Sequence, residues 1–112
     1  MTGSSTKMAA LGDATRRRIL ELLAEAPASV AEITDQVPVS RPAVSQHLRV
    51  LSEAGLVVHR VDGTRHLYQA DPDGLAELRT YLDSLWETAL GKFQADTDRA
   101  GASRRTVRRK TK

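Results

Sequence analysis

Cysteine is absent from this chain of 112 residues, and its absence excludes several kinds of site. Without thiols the protein forms no disulfide, no thiolate nucleophile and no cysteine-ligated zinc or iron–sulfur centre. Stability must come from packing, with a partner subunit as one further source. The chain is long enough for one domain and too short for two independent cores.

Aromatic residues and long apolar runs are also scarce. Aromatics make up 4% of the sequence, so a large aromatic cage for a cofactor is not expected. No run of about 18 apolar residues occurs, and the polar start of the chain lacks the apolar region of a signal peptide. We therefore predict a cytoplasmic protein with no membrane contact and no cofactor.

Acidic residues are missing from the C-terminal segment. Seven of the 17 lysines and arginines and none of the 14 acids lie in residues 99–112, so residues 1–98 carry a net charge of −4. Like charges among small polar residues cannot bury enough apolar surface to fold. We predict a flexible N-terminus over residues 1–6, a folded domain over 7–95, and a disordered basic tail over 96–112 that can bind polyanions.

Caps and apolar spacing predict five helices. Asp13, Ser29, Ser40 and Asp71 stand at N-cap positions, and Ser29 with Glu32 forms a capping box. Apolar residues recur behind these caps at spacings of three and four, which is typical of amphipathic helices. The predicted helices span about residues 7–11, 13–26, 29–37, 40–53 and 71–93.

A β-hairpin is predicted between the fourth and fifth helices. Segments 56–61 and 64–70 are rich in β-branched and aromatic residues and flank Asp62-Gly63, a strong hairpin signal. If these two residues form the loop, Arg60 lies opposite Arg65 and His59 lies opposite His66. Directly opposed arginines repel each other, and a phosphate bound against them would offset this repulsion. The alternative is that both side chains are simply exposed charges in water.

Two short helices, a tight turn and a following hairpin are typical of a winged helix-turn-helix. On the second of these helices arginine can bind guanine and glutamine can bind adenine in the major groove. A solvated helix face is the alternative interpretation. We predict double-stranded DNA as a partner, contacted by Arg41, Ser45, Gln46, His47, Arg49, Arg60 and Arg65.

The last helix carries more apolar surface than one small core needs. A twofold contact buries such a surface on both subunits at once. We therefore predict a homodimer, paired through the first and last helices and using Met8, Leu11, Tyr81, Leu85, Trp86 and Ala89.

Three successive arginines, Arg16, Arg17 and Arg18, lie near the start of the second helix, where cations oppose the helix dipole. Two partners for them remain open at this point, namely Glu21 on the same helix and DNA phosphate.

Three motifs together resemble a known family. The segments LGDATRRRILELL (residues 11–23), VSRPAVSQHLRVLSEAGLV (39–57) and GTRHLY (63–68) are similar to those of the ArsR/SmtB family of bacterial winged-helix repressors. The resemblance covers about residues 6–95. It implies a homodimer that binds a palindromic operator near a promoter and represses transcription.

The metal sites of that family have no counterpart here. Its metal sensors use a Cys-x-Cys type motif near the third helix or Asp and His pairs on the last helix. This chain has no cysteine, and residues 72–93 contain no histidine. The chain resembles instead the branch without metal-sensing motifs, and this resemblance identifies no inducer. The pair His59 and His66 offers only two ligands, so no metal site is predicted.

The predicted fold is mainly α with a β-hairpin wing. The predicted function is that of a sequence-specific transcriptional repressor that also acts at its own promoter. An enzyme is not expected, because no nucleophile with a paired base and no glycine-rich phosphate loop is evident. Two alternatives remain: an architectural nucleoid protein that uses the basic tail, and a winged helix that binds another protein.

Overall fold

The computed structural model describes residues 3–101, with side chains over residues 3–98. The chain divides into two units, residues 1–79 and residues 80–112. Its elements are α1 (Ser4–Ala10), α2 (Ala14–Glu25), α3 (Val30–Thr34), α4 (Arg41–Glu53), β1 (Val57–Asp62), β2 (Arg65–Ala70) and α5 (Pro72–Gly101). The predicted fold class, mainly α with a β-hairpin wing, is confirmed. Among the described residues, no helix is long and apolar enough to span a membrane.

Side-chain caps set the starts of the helices in the first unit. The Asp13 carboxylate accepts a hydrogen bond from the Arg16 backbone N–H at 2.9 Å, which lowers the pKa of Asp13. Ser29 and Glu32 form the predicted capping box at α3, and Ser40 caps α4. Behind the caps, one apolar cluster unites α2, α3, α4 and the base of the hairpin, with Ile19, Ile33, Val44, Leu48, Leu51 and Leu56 almost fully buried.

The first helix begins earlier than the sequence suggests. Residues 4–6, predicted to be flexible, belong to α1, and Gly3 lies at its N-cap. The reason is a contact distant in sequence: Lys7 is 1% exposed, and its ammonium donates to Glu77 Oε1 at 3.1 Å. A buried ammonium needs such a partner, and helical backbone holds Lys7 in place to reach it.

The third and fifth helices also differ in length from the prediction. Helix α3 ends at Thr34 rather than near Val37, because Gln36 and Val37 donate to the carbonyls three residues earlier and tighten the chain into turns. Helix α5 continues to Gly101, so residues 96–101 are helical where a disordered tail was predicted. The rest of the predicted tail, residues 102–112, lies outside the described residues.

The hairpin has a different register from the predicted one. Its loop is Gly63-Thr64, with Gly63 at φ +66°, and Asp62 pairs with Arg65 in the ladder. A two-residue loop that has glycine first is the pattern of a type II′ turn, whereas the prediction had placed Asp62 in the loop. Arg60 therefore lies opposite Leu67, and His59 lies opposite Tyr68. The predicted Arg60–Arg65 and His59–His66 oppositions are wrong.

Gly74 allows two backbones to meet at the start of α5. A Cβ at this position would overlap the Gly55 carbonyl oxygen and would lie 2.9 Å from the Gly55 carbonyl carbon. The Asp71 N–H also donates to the Leu56 carbonyl at 2.9 Å, so the chain after α4 packs directly on the start of α5.

We expect Gly74→Ala to destabilise the protein by about 1–3 kcal/mol or more, since backbone must move to admit the methyl group. Urea denaturation at fixed protein concentration measures the change. The matched control is Gly91→Ala in the same helix, where nothing lies within 4 Å of the added Cβ. Alanine there should stabilise by about 0.5–1 kcal/mol through helix propensity. Equal effects of the two substitutions would contradict the close backbone approach.

Candidate nucleic-acid interface

Helix α4 presents a polar face to solvent. Its inward positions Val44, Leu48 and Leu51 are buried in the core, which fixes the rotation of the helix about its axis. Ser40 caps the first turn, and Pro42 within that turn has no N–H that would need a partner. Four of its exposed residues, Arg41, Ser45, Gln46 and Arg49, are called here the recognition face.

His47 differs from its neighbours on α4. It is half-buried, and its Nδ1 lies 3.4 Å from Nη1 of Arg16 on α2. Because a guanidinium can only donate, this contact requires an unprotonated Nδ1 that accepts. The contact directs His47 toward α2. Its assignment to DNA binding stays a prediction.

The three arginines of α2 have partners within the chain. Arg16 Nε donates to the Ala10 carbonyl at 2.6 Å, and Arg17 Nη1 donates to the Leu11 carbonyl at 2.7 Å. Both carbonyls lie at the C-terminal end of α1, where cations are favoured. Arg18 lies 3.6 Å from Glu21, as one of the two sequence interpretations expected. The capping of α1 by Arg16 and Arg17 was not predicted, because the contact joins two different helices and has no local sequence signal.

The wing, defined as β1, β2 and their loop, carries two exposed arginines on one face. Arg60 and Arg65 are diagonal neighbours, because Arg60 pairs with Leu67 two residues beyond Arg65. Arg65 Nη2 donates to Glu32 Oε1 of α3 at 3.0 Å, so Arg65 already has an anionic partner. The Ser29 N–H donates to the same oxygen at 2.8 Å. This backbone hydrogen bond, with help from Arg65, lowers the pKa of Glu32.

Three rings of the wing form a stack. His59 lies 5.0 Å from His66 and 4.8 Å from Tyr68, measured between ring centroids. The nitrogens His59 Nε2 and His66 Nδ1 are 2.9 Å apart and form a hydrogen bond in which one ring donates. Within the described part of the chain, no group of three or more His, Cys, Asp or Glu residues could hold a metal ion.

The residues predicted to pair two subunits are mostly exposed. In the first unit, Met8 is 43% exposed and Leu11 is half-buried. In the second unit, α5 presents a set of large exposed apolar side chains, called here the apolar face: Tyr81, Leu82, Leu85, Trp86, Leu90 and Phe93. Ala89 is also exposed in this segment. So much apolar surface on one helix is unusual for a monomer.

A short helix, a tight turn, a second helix with a polar outer face and a β-hairpin define a winged helix-turn-helix protein. The arsR family of bacterial regulatory proteins matches residues 13–58. The HTH-type transcriptional regulator Rv2034 of Mycobacterium tuberculosis is 54% identical over 92 residues, which are 82% of this chain and 86% of that protein. The chain therefore belongs to the ArsR family and is a helix-turn-helix, DNA-binding transcriptional regulator.

Two further comparisons concern repression and assembly. The arsenical resistance operon repressor of Staphylococcus xylosus is 30% identical over 79 residues, which are 70% of this chain and 76% of that protein. The homodimeric winged helix-turn-helix DNA-binding domain Mb0332 from Mycobacterium bovis has 28% identity and a TM-score of 0.61. That similarity covers 77% of this chain and 80% of that one.

Proposed function

We propose that this protein is a homodimeric repressor that binds a palindromic operator near a promoter, including the promoter of its own gene. The observation that carries the proposal is the recognition face of α4. Its small polar and basic side chains are exposed on a helix whose other side is fixed in the core. A cytoplasmic location, predicted from the sequence, is part of the proposal.

We assign base reading to the recognition face and backbone contacts to the wing. Arg49 can donate two hydrogen bonds to guanine, Gln46 can pair with adenine, and Ser45 suits either a base or a phosphate. Arg41, at the first turn of α4, is assigned to backbone contact. Arg60 and Arg65 would bind phosphates from the wing, because arginine matches phosphate geometry.

The apolar face of α5 supports the dimer. A twofold axis would cover this surface on both chains with one kind of contact, and would repeat the recognition face on the partner. Met8 and Leu11 of α1 are assigned to the same interface. The homodimeric Mb0332 domain supports the assignment by similarity.

Repression follows from the location of the operator. A dimer bound at a promoter occupies DNA that RNA polymerase needs, and the similarity to the arsenical resistance operon repressor supports this direction of regulation. A palindromic operator would mirror the twofold symmetry of the dimer.

Nuclease footprinting on the DNA upstream of the gene for this protein tests the proposal. We expect a protected segment with two inverted half-sites about 10 base pairs apart, centre to centre, or a multiple of that spacing. A duplex in which one half-site is scrambled is the control and should bind far more weakly. Uniform coverage without a footprint would contradict the proposal and favour an architectural protein.

We expect zinc, cadmium, nickel and arsenite to leave the protein on its operator. The sequence holds no cysteine and three histidines, and His59 and His66 already bond to each other. Among the described residues, no group of three or more His, Cys, Asp or Glu could hold a metal ion. Gel-shift titration with each metal at stoichiometric concentration measures release, with the chelated protein as the reference. Release by any of these metals would overturn the placement in the branch without metal sensing.

A further inference from the structure

A cleft lies between the wing and the N-terminal ends of α3 and α4. Its volume is about 440 Å³, and its polar lining residues are Ser29, Arg41, Thr64, Arg65, His66 and Tyr68. Each of these side chains can donate a hydrogen bond, and the two arginines carry permanent positive charge. Hydroxyl and guanidinium donors around one space are the chemistry that binds a phosphate group.

A carboxylate meets this cleft at its edge. Glu32 Oε1 accepts from Arg65 Nη2 at 3.0 Å and from the Ser29 N–H at 2.8 Å, and both donors belong to cleft residues. Like an ordinary glutamate, Glu32 is ionised at neutral pH, and its lowered pKa acts in the same direction. An anion therefore already lies against one of the two cationic groups.

The ion pair is suited to exchange. The Arg65 and Glu32 side chains are 56% and 54% exposed, and ion pairs with this much solvent contact are weak. Losing the pair would not release the wing from α3, because the backbones of Ala28 and Tyr68 exchange two hydrogen bonds of 2.9 and 2.8 Å. Arg65 can thus change its partner while the strand that carries it stays in position.

We propose that the cleft binds a phosphate group through Arg41 and Arg65, and that Glu32 is its internal competitor, displaced from Arg65 when the phosphate enters. The inference rests on the proposed function, since the phosphate source that the observations favour is the DNA backbone beside the recognition face. Glu32 is a positioning residue that holds Arg65 against α3 in the free protein. It weakens DNA binding by the free energy of the pair that must break.

Glu32→Gln separates this role from helix capping, since glutamine at the third helical position also completes a capping box. We expect the variant to bind the operator about two- to tenfold more tightly than the parent protein, because two ion pairs per dimer no longer compete. The control is Glu87→Gln, an exposed position on α5 with the same change of net charge. It should alter affinity much less than Glu32→Gln does.

A double-mutant cycle decides whether the effect passes through Arg65. In an Arg65→Gln background, Glu32→Gln should have no more effect than Glu87→Gln has. Tightening that persists without Arg65 would overturn the proposal, as would equal effects of the two glutamate substitutions in the parent background. Thermal unfolding of each variant at the same concentration verifies that the fold is retained.

Inorganic pyrophosphate distinguishes the two sources of phosphate. NMR titration of the DNA-free Glu32→Gln protein follows the Thr64 and Arg65 signals. Shifts there, with Glu32 coupling on DNA, mean that free phosphate compounds also bind the cleft. If Glu32 and Arg65 are coupled in DNA binding but pyrophosphate shifts no cleft signal, the cleft binds the DNA backbone alone. If neither the coupling nor the shifts are observed, the cleft proposal is refuted.

The proposed function is tested separately by the preference of the unmodified protein for operator over random duplex. If that preference is present and Glu32 shows no coupling, the cleft proposal alone fails. If that preference is absent while pyrophosphate still shifts the cleft signals, the proposed function fails and the phosphate site stands.

Discussion

Leu85→Asp should convert the protein into a monomer and weaken operator binding about 10²–10⁴-fold, the advantage that bivalent attachment gives to linked binding sites. Leu85 is 50% exposed in the single chain, so aspartate there does not open the core of either unit. In the proposed dimer the same position is covered, and an unpaired carboxylate buried between two apolar surfaces costs several kcal/mol. Sedimentation at micromolar concentration measures the mass, and gel shift measures the affinity.

The matched control for this substitution is Thr80→Asp, which adds the same charge to the same helix. At 100° per residue, Thr80 lies on the side of α5 opposite the apolar face. It should stay dimeric and bind the operator normally. A dimeric Leu85→Asp protein, or an unmodified protein that sediments as a single chain, would contradict the assignment of the apolar face.

Arg49→Ala and Gln46→Ala should each reduce operator affinity by about 1–3 kcal/mol per specific contact, and the proposed dimer would make each contact twice. Affinity for the operator should decrease while affinity for random duplex stays nearly unchanged, because base edges carry the sequence information. Arg65→Ala should weaken all sequences alike and reduce the slope of log affinity against log salt by about 1 per subunit. Fluorescence titrations on the two duplexes at several salt concentrations measure both quantities.

Arg79→Ala is the control for Arg49→Ala, since it removes the same charge from an exposed position on α5. We expect little change in the ratio of operator to random binding for this variant. If Arg49→Ala lowered binding to both duplexes equally, Arg49 would be a phosphate contact, and base reading would have to be reassigned within the recognition face.

The helices were predictable because their signals are local. An N-cap side chain and the backbone N–H that donates to it lie three residues apart, as in Ser29 and Glu32, so a linear sequence displays the whole motif. The same holds for the inward positions of α4, which repeat at helical spacing and leave the recognition face outward.

The remaining contacts join residues that are distant in sequence. Nothing near Lys7 indicates that its ammonium is buried, because Glu77 supplies the partner. Glu32 is recognisable as a capping residue but not as the partner of Arg65, 33 positions away. The hairpin register depended on whether Asp62 or Thr64 joins Gly63 in the loop, and a one-position shift of the loop changed every cross-strand pair.

The ion pair of Lys7 with Glu77 also bears on how the protein is made. Its two residues are 70 positions apart, so the ammonium cannot meet its carboxylate until the ribosome has synthesised nearly the whole first unit. At about 5–20 residues per second, translation imposes a delay of roughly 4–14 s. During that interval Lys7 lacks the carboxylate of Glu77, so this contact of the N-terminal helix forms only after most of the first unit has been synthesised.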